Sequence, residues 1–128
     1  KYSDEWHVLH LKDPRAVVPE SIMPGYPWLA SRPVGSKDIS ENLKTLRAVG
    51  VPYTDEMIEN AAADLNAQVD PDNEGVDALQ KRYPKAQVRQ FDNDPGFVSE
   101  MDALVAYLQM LGTLVDFASF DASGPNLR

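Results

Sequence analysis

Ser99-Glu100-Met101-Asp102-Ala103-Leu104-Val105-Ala106-Tyr107-Leu108-Gln109-Met110-Leu111-Gly112-Thr113-Leu114-Val115 carries the clearest structural signal in this chain of 128 residues. Met101, Leu104, Val105, Leu108, Leu111 and Val115 recur at the i, i+3, i+4, i+7 spacing that lines up side chains on one face of an α-helix. Ser99 supplies a capping hydroxyl, and Asp102 three residues on makes the start a relative of the capping box. The pattern predicts one strong amphipathic helix over about residues 99–115.

Working outward, the other regular elements also read as helices. Thr54 before Asp55-Glu56 starts one whose stripe is Met57, Ile58, Ala61, Ala62 and Leu65, ended by Pro71. Ile39, Leu43, Leu46 and Val49 predict another, stopped by Gly50, and residues 76–83 a short one stopped by Pro84. Residues 85–96 read as loop, with Val88 and Phe91 a weak hint of strand. At the beginning, Ser3 followed by Asp4 and Glu5 caps a helix that must stop near Asp13, because Pro14 follows. Asp13 then caps a second short turn with Pro14 at its first position. Pro14, Pro19, Pro24, Pro27 and Pro33 restrict the rest of the first third to short helices and an irregular, well-packed loop. The tail from Phe117 to Arg128 reads as loose. The chain therefore divides into residues 1–33, a helical stretch 34–98, the last helix 99–115 and the tail 116–128, within a single all-α domain.

Composition removes several function classes. Hydrophobic residues at 43% and charged residues at 25% are ordinary globular values. The net charge of −8 argues against a nucleic-acid partner and against docking on an anionic membrane surface. The acidity is concentrated in residues 54–83, at net −6, whereas residues 1–49 are at net +1. With no cysteine, disulfides, thiolate zinc sites, iron–sulfur clusters and covalent haem attachment have no donor in this chain. No apolar run approaches the ~20 residues of a spanning helix. Starting at Lys1, the chain reads as a cut or processed product.

Three constellations could carry chemistry. His7 and His10, at i, i+3, could share a metal completed by Asp4 or Asp13, although a surface histidine beside a packed one is the plainer reading. The carboxylates of 54–83 are spaced as a solvated helix face rather than as an acid/base pair, and no G-x-S-x-G elbow or glycine-rich phosphate loop occurs. The third is Met23, in Ile22-Met23-Pro24-Gly25-Tyr26-Pro27-Trp28. Prolines clamp the backbone around it and aromatics surround it. Such a methionine either fills an irregular gap in a core or presents a fixed thioether sulfur to a haem iron. Met57, Met101 and Met110 all fall within predicted helices.

Several blocks together resemble a known family. They are residues 2–7 with 10–15, Val17-Val18-Pro19-Glu20-Ser21-Ile22-Met23-Pro24-Gly25-Tyr26-Pro27, Gly50-Val51-Pro52-Tyr53-Thr54-Asp55-Glu56-Met57, and residues 100–113 of the last helix. In this combination the chain resembles the monohaem cytochrome c subunit (subunit II) of cbb3-type cytochrome c oxidases, in blocks over most of residues 2–115. The resemblance implies a cytochrome c-like helical domain, incomplete because the helix bearing the C-x-x-C-H attachment motif would lie upstream. It implies that Met23 is the axial haem iron ligand, and that haem c belongs to the intact subunit. This chain, without cysteine, is expected to bind none covalently. Trp6, Leu9, Ile22, Tyr26 and Trp28 are the expected pocket wall, from their closeness to Met23, although the same five also read as ordinary core. The implied function is non-catalytic: relaying electrons from a cytochrome c-type donor to the oxygen-reducing subunit, on the periplasmic side of the bacterial inner membrane. The expected partners are the other oxidase subunits. A second copy joined through the last helix is also expected, since that helix would lack its usual cover. The alternative reading is an acidic helical module that docks a basic protein through 54–83, with no redox cofactor.

Overall fold

The computed structural model describes residues 2–113. It is built from seven α-helices among these residues: α1 (Asp4–Lys12), α2 (Pro14–Val17), α3 (Ser36–Ala48), α4 (Asp55–Glu59), α5 (Ala61–Val69), α6 (Val76–Arg82) and α7 (Glu100–Met110). A 3-10 turn, Pro27–Ala30, interrupts the proline-rich loop. Among the described residues extended pairing is limited to a single antiparallel bridge, Pro33 with Ser99. The all-α class follows directly.

Local chemistry sets the helix ends. The Trp6 amide donates to Ser3 Oγ at the start of α1, and the Asp13 amide closes it by donating to the Leu9 carbonyl. Asp13 then turns its carboxylate to the Arg15 amide and starts α2 with Pro14. At α7 the capping box is complete, with Ser99 Oγ accepting from the Asp102 amide and Asp102 Oδ2 accepting from the Ser99 amide.

Two expectations need correction. The stretch from Asp55 to Val69 is two helices, α4 and α5, broken at Asn60, whose side-chain amide donates to the Glu56 carbonyl at 2.8 Å. Helix α7 stops at Met110, earlier than the apolar repeat suggests, because Gly112 takes φ 77° and turns the chain out of the helix. The tail expectation falls outside the described residues.

The core joins the first part of the chain to the last. Leu11, Phe91, Met101 and Val105 form its buried centre, with Val8, Met23, Leu29, Leu104 and Leu108 packed around it. The apolar stripe of α7 is covered mainly by α1, the 3-10 turn and Phe91, with Val69 at the end of α5 packed against the same cluster. The middle helices make their own unit: α5 lies between α3 and α6 and buries Ile58, Ala61, Ala67 and Leu79. Arg82 fastens it, forked onto the Asp64 carboxylate, with its Nη1 3.2 Å from Glu56. Asp64 is only 5% exposed, so the acidic run of residues 54–83 is not a uniformly solvated face. The two units are stitched by backbone bonds from Arg89 to Gln68, Val34 to Val98 and Glu100 to Arg32.

Candidate functional site

Met23 lies on the irregular loop between α2 and the 3-10 turn, and the sequence explains how an irregular loop can hold one shape. The Ser21 amide donates to the Val18 carbonyl, the Met23 amide to Ser21 Oγ at 3.2 Å, and Arg15 Nε to the Ser21 carbonyl at 3.1 Å. Beyond Met23 the Tyr26 amide donates to the Leu11 carbonyl at 2.6 Å, tying the loop to the end of α1. Gly25 makes this approach sterically feasible: a Cβ there would sit 2.6 Å from the Lys12 carbonyl oxygen. Prolines at 24 and 27 fix φ on either side. The result is a half-buried thioether packed against the buried cluster of Leu11, Phe91, Met101 and Val105.

The expected wall residues divide into three groups. Tyr26 and Trp28 form an edge-to-face pair with centroids 5.4 Å apart, next to the loop. Trp6 belongs to a separate ring cluster on α1, stacked on Tyr2 at 3.8 Å and tilted over His10 at 4.5 Å. Leu9 is exposed, and Ile22 is 97% exposed, its side chain lying in solvent beside Met23. The structure thus brings Met23, Tyr26 and Trp28 onto one short segment and leaves Ile22 uncovered.

The histidines are drawn into that ring cluster. His7 lies edge-on to Trp6 at 5.4 Å, and His10 lies against the same indole. Asp4, the proposed third ligand, is turned instead to Arg89 and to Gln109 Nε2, the latter at 2.8 Å. The Arg89 guanidinium holds the Asp4 carboxyl below its ordinary range. Among the described residues no group of three or more His, Cys, Asp or Glu is arranged to hold a metal ion.

Two features that support the site were not read from sequence. Arg15 and Ser21 clamp the loop from six residues apart, a spacing with no motif behind it. Asp102 does more than cap: its Oδ1 also accepts from the Phe91 and Asp92 amides, both at 3.1 Å, which places Phe91 under the core. Burial pushes the Asp102 carboxyl above its ordinary range despite these bonds.

The chemistry available is that of a single soft sulfur on a loop held by hydrogen bonds and packed against the buried cluster that includes Phe91. Such a donor suits an axial position on a haem iron. The loop fits that duty because its backbone is already fixed by the contacts of Ser21, Gly25 and Tyr26. Covalent attachment is a different matter, since the sequence supplies no cysteine. The family model described as "Cytochrome C oxidase, mono-heme subunit/FixO" matches residues 1–115. A search of curated proteins finds no match.

Proposed function

Because this chain belongs to the FixO family of mono-haem cytochrome c oxidase subunits, we propose that Met23 is the axial ligand of its haem. Family membership implies a cbb3-type cytochrome c oxidase subunit involved in electron transfer, with haem c in the intact subunit and other oxidase subunits as its associates. The finer reading is that the domain takes electrons from a cytochrome c-type donor and passes them towards the oxygen-reducing subunit, on the periplasmic side of the membrane. Among the described residues no helix is long and apolar enough to cross a membrane.

The observation that carries the ligand assignment is the clamped loop. Of the four methionines, Met57 and Met101 lie within helices and Met110 ends one, Met101 being fully buried; Met23 alone sits on an irregular segment pinned from both sides. A bound haem would supply a one-electron carrier, and the Met23 thioether would be the group of this chain that holds it and raises its potential. The protein's contribution is to hold the sulfur at a fixed height. Arg15 and Ser21 anchor one limb of the loop, and Tyr26 on Leu11 anchors the other. The reading is tested on the intact haem-bearing subunit with Met23→Ala. Covalent haem is retained, the weak sulfur-to-iron band at the red end of the visible spectrum disappears, and the potential falls. An unchanged band would assign the ligand to another residue.

The self-association expected of the last helix rests on what remains uncovered on it, Tyr107 and Leu111, each about half exposed. Light scattering across a concentration series is expected to show a mass above 14.2 kDa that Leu111→Glu returns to the monomer. A monomer mass at every concentration would remove this reading while leaving the haem assignment untouched. The acidic docking reading is weakened by Arg82, which holds Asp64 inside the fold and pairs with Glu56 at the surface.

A further inference from the structure

A groove of about 650 Å³ runs across the middle helices, and no residue of the Met23 loop lines it. Its floor is apolar: Ile39 and Leu43 of α3, Leu65 of α5, Leu79 of α6 and Met110 of α7. The volume lies within the ~300–1,000 Å³ of clefts that take small organic ligands, which combine an apolar lining with a few convergent polar groups. A second hollow of about 180 Å³ adjoins it, with Gln68, Lys85 and Met110 on the boundary between the two. The polar groups Lys85 and Gln68 therefore meet at that junction.

Charge decides what such a groove accepts. Two cations line it, Arg82 and Lys85. Arg82 is engaged by Asp64 and Glu56. Asp64, the carboxylate on the lining, is neutralised by that fork, so the acidity of residues 54–83 does not face the groove unpaired. Lys85 is exposed and has no ion-pair partner among the described residues, and the Gln68 side-chain amide has no hydrogen bond among them. One unpaired cation beside an apolar floor complements one anion carried on an apolar chain. Covering the floor with that chain takes both surfaces out of water.

We propose that the groove binds a free long-chain fatty acid, with its alkyl chain along the α3, α5 and α6 floor and its carboxylate between Lys85 and Gln68. A single chain with a single negative charge matches a groove with a single unpaired cation. The inference is independent of the haem reading. It rests on the lining of the groove and on the two unengaged polar groups beside it.

The test is calorimetric titration of the full chain with dodecanoate, kept below the concentration at which it forms micelles. Dodecyltrimethylammonium, with the same chain and the opposite charge, is the control. Dodecanoate should bind at one site, at least about tenfold more tightly than the ammonium compound, because a hydrogen bond to a charged partner contributes more than that factor. Shortening the chain to decanoate should weaken binding roughly tenfold for the methylenes lost. Lys85→Glu should remove the preference for the carboxylate and Lys85→Arg should retain it; the side chain is exposed, so both variants keep the fold, which an unchanged circular dichroism spectrum checks. Absence of binding, equal affinity for the two head groups, or a preference that survives Lys85→Glu would overturn the proposal.

Discussion

Gly25 shows how much of this site depends on one missing atom. A β-carbon there would meet the Lys12 carbonyl oxygen at 2.6 Å, and the obstacle is backbone, which cannot swing aside as a side chain can. Gly25→Ala should therefore push the loop off α1, lengthen the bond from the Tyr26 amide to Leu11 and cost about 1–3 kcal/mol, the range for overpacking. Gly96→Ala is the comparison, since its nearest neighbour is a side-chain oxygen of Asp94 at 3.3 Å. Thermal unfolding of the pair should show the larger fall in Tm for Gly25→Ala; equal falls would mean that the loop yields freely. At this scale the sequence was informative where a residue type has few roles. Met23 between prolines, Ser3, Asp13 and Ser99 as caps could all be read directly. The place of Ile22 could not: it neighbours Met23 in sequence, yet adjacent residues on extended chain point to opposite sides, and Ile22 lies exposed while Met23 packs on the core.

Among the elements, the pairing of α5 with α6 depends on an ion pair that the apolar pattern conceals. Arg82 leaves only 12% of its side-chain surface exposed and Asp64 only 7%. Removing one partner strands the other charge, which costs about 3–5 kcal/mol, whereas replacing both by apolar residues of similar size can be nearly neutral. Asp64→Ala should therefore lower the denaturation midpoint severely, and Asp64→Leu with Arg82→Met should recover most of the loss. No recovery in the double variant would show that Glu56 and the surrounding packing, rather than charge balance, govern this junction. Periodicity located all the principal helices but misplaced two boundaries. The Asn60 break arises from a side-chain bond to the Glu56 carbonyl, and the apolar stripe continues straight through it. The early end of α7 is set by the left-handed turn at Gly112, while Leu114 and Val115 prolong the helical repeat beyond the helix itself. What covers α7 was also hidden, because α1 reaches it from far along the chain and Phe91 from an irregular loop just before it.

For the molecule as a whole, the contacts between distant parts of the chain make stability depend on pH in two opposing ways. Asp4, held low by Arg89, contributes stability that is fully present above its ordinary value of 3.8 and lost as pH falls through its lowered folded value. Asp102, pushed up by burial, does the reverse: its contribution is present below 3.8 and lost as pH rises through its raised folded value. Arg89 is 36% exposed, so solvent screens the pair, and about 1 kcal/mol is a fair magnitude for it. Asp4→Asn should accordingly be less stable than the parent near neutrality by about that amount, and the gap should close under acid; parallel stability–pH curves would sink the idea. The bonds that join Asp4 to Arg89 and Gln109 also set a timetable. They link positions 85 and 105 residues apart. During synthesis at ~5–20 residues per second, Asp4 must wait roughly 5–21 s before Gln109 has been made. Leu11 likewise waits for Phe91, Met101 and Val105, the cluster on which Met23 rests. The Met23 loop is among the first parts of this sequence to be translated and among the last to gain its support, so a newborn chain passes through an interval in which the methionine exists without the bed that holds it.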